Sequence, residues 1–323
     1  MSHQSVPSKV NSARAPKPKP LRVGVAGLGV IGEGAALRLL QADSFVLDAA
    51  LVRSADKKRA PAFSETVIHT DTEQFLQTDP DIVIDALSTG EAGLALIRGA
   101  LARGVNIVTA NKQAIAGNLA PLHALAKSHN AILNYEASVG GGAPMIKTVR
   151  AARHVGEIRS MSAIVNGTVN FILSAVKAGG SFGDAVKAAQ DAGFAEPDPS
   201  ADLSGEDARA KIAILSYEAF GEEIDLDAIE IEALDEAKAL KFSKQGGTWK
   251  QLATISRTSD RALSGRLQFV RVDDNPFLSG IMGEGNALSI HLASGEVFTC
   301  AGKGAGRAPT VDSLFSDLHD ITS

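Results

Sequence analysis

A single cysteine, Cys300, stands in the 323 residues. That excludes an intrachain disulfide and any cysteine-clustered metal site, and it suits a reducing, cytoplasmic compartment. Cys300 follows Val297-Phe298-Thr299, which reads as a strand, so it is expected to be a small core residue rather than a nucleophile. No apolar run approaches the ~20 residues a membrane helix needs, so no membrane partner is expected. Positive charge is not in excess either. The formal net charge is -5, whereas binding nucleic acid draws on a cationic surface that displaces counterions. The seven histidines are scattered, without an H-E-x-x-H or a close pair, which argues against a catalytic transition metal. His123, His129 and His154 read as surface or helix-end residues.

What is present is ordinary globular material, 45% hydrophobic and 21% charged, in a chain long enough for two domains of ~100–200 residues. Residues 1–20 mix Ser, Pro, Lys and Arg, end in Lys17-Pro18-Lys19-Pro20, and read as a disordered arm. From Leu21 short apolar runs alternate with helical stretches. Strands are expected at 21–26, 45–52, 81–86, 106–109 and 131–135. Helices are expected at 32–40, 92–103 and 119–128. Such alternation implies parallel βαβ units in an α/β, doubly wound sheet. After Gly140-Gly141-Gly142 the apolar stretches lengthen, and 182–220 reads as mostly helical, so a domain change is placed near residue 138.

Gly27-Leu28-Gly29-Val30-Ile31-Gly32 matches G-x-G-x-x-G between a strand and a helix, the context in which that short motif carries weight. The first glycine permits the tight turn and the second lets the backbone approach a pyrophosphate. The third lets helix and strand pack closely, while the helix N-terminus offers N–H donors. The alternative is a glycine-rich turn with no ligand. NAD enzymes usually place an acidic residue at the end of the next strand, for the ribose 2′-OH. This chain has Val52-Arg53-Ser54 there, then Lys57-Lys58-Arg59. Cations suit a 2′-phosphate, so NADP is favoured over NAD; for the later three residues a solvated basic loop is nearly as good a reading. Lys112 follows a strand end, where ligands gather in doubly wound folds. Lys211 lies four residues after Asp207, on the same helix face. An isolated pair of that kind is ordinarily just an exposed ion pair, and Ser204 with Asp207 could be a plain helix cap.

Read together, four stretches resemble the homoserine dehydrogenase family: Thr109-Ala110-Asn111-Lys112, 135–142 (YEASVGGG), Asn166-Gly167-Thr168 and 196–211 (EPDPSADLSGEDARAK). Order and spacing match, and the likeness runs from about Leu21 to the segment at 302–310 and beyond. The resemblance implies a Rossmann-type cofactor domain (21–138 and 302–323, closed by a helix at about 311–318) and an α+β substrate and dimerisation domain (139–301). It also implies a homodimer. The implied reaction is the NAD(P)-dependent interconversion of L-homoserine and L-aspartate 4-semialdehyde.

By the same resemblance Lys112, Asp207 and Lys211 surround the reacting hydroxyl, with Lys211 the preferred acid/base. A lysine in that role would need surroundings that lower its pKa. Glu196 and Asp202 face the substrate amino group, and Thr168 contacts the substrate. The cofactor set is Gly27, Gly29, Val30, Ile31, Gly32, Arg53, Ser88, Thr89, Lys112 and Gly304. Glu136, Val139, Gly141 and Ala143 match a monovalent cation site, for Na+ or K+; a hinge loop without an ion is the alternative. Several positions depart from the family pattern: Phe194 replaces a common tyrosine, Glu206 adds a carboxylate, and 225–257 is blurred. A regulatory amino-acid-binding domain after Ser323, with feedback control by threonine through it, is not expected. These departures keep open a dehydrogenase of another small hydroxylated amino acid or hydroxy acid. A non-catalytic NADPH sensor is the reading from another class.

Overall fold

The computed structural model describes residues 19–258, 261–304 and 306–322. Apart from Lys19 and Pro20, the expected arm lies outside the described residues. The chain opens with β1 (Leu21–Ala26), α1 (Val30–Leu39), β2 (Phe45–Leu51), β3 (Val67–His69), α2 (Thr72–Leu76), β4 (Ile82–Asp85) and α3 (Gly90–Leu101). It continues with β5 (Asn106–Thr109), α4 (Lys112–Ile115), α5 (Leu119–Ser128) and β6 (Leu133–Asn134). These six strands form one wholly parallel sheet in the order β3-β2-β1-β4-β5-β6. The order reverses between β1 and β4, which opens a crevice at their carboxyl ends. Both faces are covered by helices, so β4 is buried at every position.

The second half comprises α6 (Met145–Val155), β7 (Ile158–Ile164), α7 (Gly167–Lys177), α8 (Phe182–Asp191), α9 (Ser200–Ser204), α10 (Glu206–Phe220), β8 (Glu230–Ile231) and α11 (Glu236–Gln245). Then follow β9 (Trp249–Arg257), β10 (Leu263–Arg271), α12 (Pro276–Ser279), β11 (Gly285–Leu292), β12 (Val297–Lys303) and α13 (Arg307–Ile321). A second sheet, β12-β11-β7-β9-β10-β8, is antiparallel except where β8 meets β10. Val149 and Ala152 of α6 and Ile212 and Leu215 of α10 share a core with Met161, Ala163, Ala253 and Ile255 from one face of that sheet. α13 returns to the parallel sheet: Val311, Leu314, Phe315 and Leu318 pack with Val23, Val25 and Ala35.

Most strands and helices expected in the first half stand where the alternation put them, with ends displaced by a few residues. Three elements were not expected, β3, α2 and α4. β3 is only three residues long and partly exposed, so it lacks the apolar run that marks a buried strand. The region read as blurred at 225–257 holds β8, α11 and β9, with Trp249 stacked on Phe242 at 4.6 Å between ring centroids.

Candidate active site

β1 ends at Ala26, and the chain turns at Gly27 (φ 88°) into α1. A side chain at Gly27 would stand 2.5 Å from the Ala86 carbonyl oxygen, and one at Gly32 would overlap the Gly27 carbonyl. At Gly29 nothing lies within 4 Å. The protein's own packing therefore demands the first and third glycines, while the second faces open space. Gly29 is the N-cap of α1 and supplies no side-chain cap, so free N–H groups of the first turn border that space. The cradle fits a dinucleotide pyrophosphate. Val30 beside it is 68% exposed, whereas Ile31 is half-buried.

Arg53, just past β2, is exposed, as are Lys57 and Lys58. Arg59 differs from them. Its guanidinium donates to the carbonyls of Ser54, Ala55 and Lys57 at 2.5, 2.8 and 2.9 Å, so it shapes the loop instead of offering a free cation. Ser88 and Thr89 are exposed between β4 and α3, and Asn111 Nδ2 donates to the Thr89 carbonyl at 2.9 Å. Sequence reasoning missed Asp85 at the foot of this loop. It is fully buried, accepts from Leu87 N and Thr109 Oγ1 at 3.0 Å each, and burial pushes its carboxyl up to about 6. The signal was available, since an acid closing the apolar run Ile82-Val83-Ile84 marks a strand end at the crevice.

Beyond the carboxyl end of β5, three charged residues from two elements meet. Asn111 caps α4, its Oδ1 accepting from Ala114 N at 3.3 Å, and so starts that helix at Lys112. Gly205, at φ 86°, turns the chain from α9 into α10, and Asp207 occupies the first turn, where the helix dipole favours a carboxylate. Gly205, not Ser204, is the N-cap, and no side-chain cap forms. Lys112 Nζ lies 3.0 Å from Asp207 Oδ1 and Lys211 Nζ lies 2.6 Å from Asp207 Oδ2. The Oδ2 atom meets that charge without a directed hydrogen bond. Side-chain exposures of 29% for Lys112, 15% for Asp207 and 13% for Lys211 rule out an exposed surface pair. Lys211 Nζ also donates to the Val165 carbonyl at 2.8 Å.

Burial alone would raise the Asp207 carboxyl, but Lys211 and Lys112 outweigh it and hold it well below the usual carboxylate range. Asp207 in turn raises Lys112, which is the reverse of the lowered lysine pKa that the chemistry suggested. Asp202, half-buried nearby, is pushed up by burial and then by Asp207. Asn166 ties the cluster together: its Oδ1 caps α7 through Val169 N at 3.0 Å, and its Nδ2 donates to the Asp202 carbonyl at 3.1 Å. Thr168 is buried, with Oγ1 donating to the Phe194 carbonyl at 2.9 Å. Glu196 is exposed and reaches the cluster only through its field on Lys112. Phe194, where a hydroxyl was missing, packs on Phe171 at 5.4 Å. The extra carboxylate of Glu206 is exposed and taken up by Arg209 at 3.0 Å.

Glu136, just past β6, is buried, and its two oxygens accept from Ile146 N and Lys147 N at 3.0 and 2.9 Å, at the start of α6. Of the other candidate cation ligands, the Gly141 carbonyl accepts from Ser313 Oγ at 2.5 Å and that of Ala143 from Met145 N at 2.8 Å. Val139 is fully buried beside them. All four offer oxygen, which suits a hard ion, and each carbonyl keeps a second lone pair. Burial pushes Glu136 up to about 7, a shift that a nearby cation would relieve.

His123 is not the surface residue it was expected to be. It stacks on Tyr217 at 5.6 Å between ring centroids, and its Nε2 lies 3.0 Å from Tyr135 Oη. Tyr135 donates to Glu218, which Arg150 binds through Nη2 at 2.9 Å. This network joins α5 to α6 and α10, and burial lowers the His123 pKa.

A dinucleotide cradle after β1 and a lysine–aspartate–lysine cluster that includes the residue opening α4 after β5, both at carboxyl ends of the parallel sheet, define an NAD(P)-dependent oxidoreductase. Residues 27–136 match the homoserine dehydrogenase NAD-binding domain model, and residues 144–319 match the homoserine dehydrogenase model. Homoserine dehydrogenase of Neisseria gonorrhoeae is 32% identical over 317 residues, which is 94% of this chain and 72% of that one. An NAD(+)-dependent homoserine dehydrogenase of Pseudomonas canavaninivorans is 34% identical over 248 residues, 75% of this chain and 70% of its own. The crystal structure of a homoserine dehydrogenase from Thiobacillus denitrificans superposes with a TM-score of 0.84 at 29% identity, covering 94% of this chain and 73% of that one. The chain belongs to the homoserine dehydrogenase family, a group of NAD(P)-dependent enzymes acting on a CH–OH group.

Proposed function

We propose that this protein interconverts L-homoserine and L-aspartate 4-semialdehyde, with Lys211 as the acid/base group and Lys112 positioning the substrate. The observation that carries this reading is the bridge of Asp207 between two lysines from different elements, at 3.0 and 2.6 Å. A bound nicotinamide supplies the hydride for the aldehyde carbon, or accepts it from the alcohol. An ammonium has three N–H donors. Lys211 directs one at the Val165 carbonyl and turns its charge toward Asp207, which still leaves a donor for the substrate oxygen. There it protonates the oxygen as the carbonyl is reduced and withdraws the proton when the alcohol is oxidised. Asp202 and Glu196 offer carboxylates to the substrate ammonium, and Thr168 offers a hydroxyl.

Arg53, exposed at the end of β2, supports NADP as the favoured cofactor, although the Pseudomonas canavaninivorans relative is named NAD(+)-dependent. The acceptors around Glu136 support a monovalent cation there, held by Glu136, Val139, Gly141 and Ala143. The cofactor domain is assigned to 21–138 and 302–323, and the substrate domain to 139–301. A homodimer finds support in the second sheet: opposite its helix-covered face, Ser160, Ser162, Thr254 and Ser256 are only half-buried, and Thr299 and Val297 beside them are exposed. A substrate panel tests the reading. Aspartate semialdehyde should oxidise NADPH and yield homoserine identifiable by NMR. Turnover with other small hydroxy acids instead would overturn the substrate assignment and leave the family standing.

A further inference from the structure

On β11, Asn286 is fully buried, yet neither its side-chain oxygen nor its nitrogen has a hydrogen-bond partner. A buried amide without partners is costly to the fold, so a group that completes it is to be expected in some state of the protein. Its place narrows what that group is. Ala287 pairs with Ile164 across the sheet, so Asn286 lies level with Val165, whose carbonyl holds Lys211 Nζ at 2.8 Å. On its other side a Cβ at Gly304 would overlap the Asn286 amide. Only a glycine permits this approach, and Gly304 N is anchored on the Glu284 carbonyl at 2.9 Å. Asn286 thus stands between the acid/base lysine and the glycine turn assigned to the cofactor.

We propose that Asn286 recognises the carboxamide of the nicotinamide ring. The inference rests on the dehydrogenase reading above. The unpaired acceptor Oδ1 takes the carboxamide N–H, and the unpaired donor Nδ2 gives to the carboxamide oxygen, once the Gly304 backbone shifts off them. Glycine backbone tolerates such a shift. A phosphate, which only accepts, would satisfy Nδ2 and leave Oδ1 orphaned. The pyrophosphate cradle at Gly29 is in any case a separate place, on α1. An amide is the complement of an amide, and the ring must lie near Lys211 for hydride and proton to move at one carbon–oxygen bond.

The test is a fluorescence titration of NADPH on the wild type and on Asn286→Leu, which keeps similar volume without polar atoms. The dissociation constant for NADPH should rise by about tenfold, the weight of a lost buried hydrogen-bond pair. That for phospho-ADP-ribose, the same cofactor without its nicotinamide, should stay as it was. Unchanged NADPH binding, or equal weakening of both ligands, overturns the proposal and leaves the amide to an internal water or to packing. Should the variant lose its cooperative melt, the wild type alone decides with the acetylpyridine analogue, whose methyl ketone lacks the carboxamide N–H. About tenfold weaker binding than the parent cofactor is expected, and equal binding contradicts it. A wild type that binds neither NADPH nor NADH would overturn the dehydrogenase reading itself, a result distinct from either of these.

Discussion

Asp207 carries the electrostatics of the site, since one carboxylate holds two ammonium groups within 3.0 Å. Removing its charge while keeping its shape, in Asp207→Asn, withdraws the main influence that raises Lys112. The alkaline limb of the kcat profile should then move to lower pH, and an unmoved limb would show that Lys112 is not coupled to turnover through Asp207. At the other end of the cofactor, Arg53→Asp removes a cation and adds repulsion toward a 2′-phosphate. The KM for NADP should rise far more than that for NAD; an unchanged preference would sink the assignment of Arg53. The spacing of Asp207 and Lys211 on one helix was legible in the sequence, because i,i+4 residues share a face. That Lys112 joins them was legible only through the family resemblance, since no local pattern reports a contact between α4 and α10. Asn286 was illegible for the same reason, as its isolation depends on packing from other elements.

Among the elements, α6 and α13 enclose two carboxylates whose titration sets a pH dependence. Burial pushes Glu136 and Asp317 each up to about 7, and Asp317 Oδ2 accepts from Glu136 N at 2.8 Å. The native state therefore binds protons more tightly here than the unfolded chain does. This contribution to stability is fully present below the ordinary carboxylate range and is lost as pH rises through about 7. Asp207, whose folded pKa is depressed, works the other way, but its loss falls at much lower pH. Thermal melts should show a lower Tm near pH 8 than near pH 5.5, a difference that Asp317→Asn reduces. A fall of equal size in the variant would contradict the assignment. Added Na+ or K+, compared with a bulky organic cation at equal ionic strength, should recover part of the lost Tm if Glu136 holds an ion. Between α6 and α10, Arg150→Met leaves the Glu218 carboxylate buried without its cation, and this should cost roughly 3 kcal/mol of stability in denaturant unfolding. A neutral result would mean that Tyr135 alone satisfies Glu218.

At the scale of the whole molecule, the parallel sheet was legible because a strand buried on both faces is a continuous apolar run. The second sheet was largely missed. β10 and β12 alternate in burial instead of forming apolar runs, and β9 pairs with β10 and β11 with β12 through connections longer than two residues. That sheet bears on assembly. If its Ser- and Thr-lined face meets a second copy, Ser162→Arg should convert a dimer to a monomer by light scattering while the cradle still binds NADPH. A wild type that is already monomeric would show that this face does not pair two copies.

On the proposed reading, Lys211 moves the proton in a hydride-transfer reaction at the cluster with Asp207 and Lys112. The most direct test is the steady-state rate of NADPH oxidation with aspartate semialdehyde in the wild type and in Lys211→Ala, alongside NADPH binding by fluorescence. We expect kcat to fall by roughly 10²–10⁴, the usual range for a positioned acid/base group, while NADPH still binds, because Lys211 stands on α10 and not in the glycine cradle. A Lys211→Ala enzyme that turns over aspartate semialdehyde at the wild-type rate would contradict that reading.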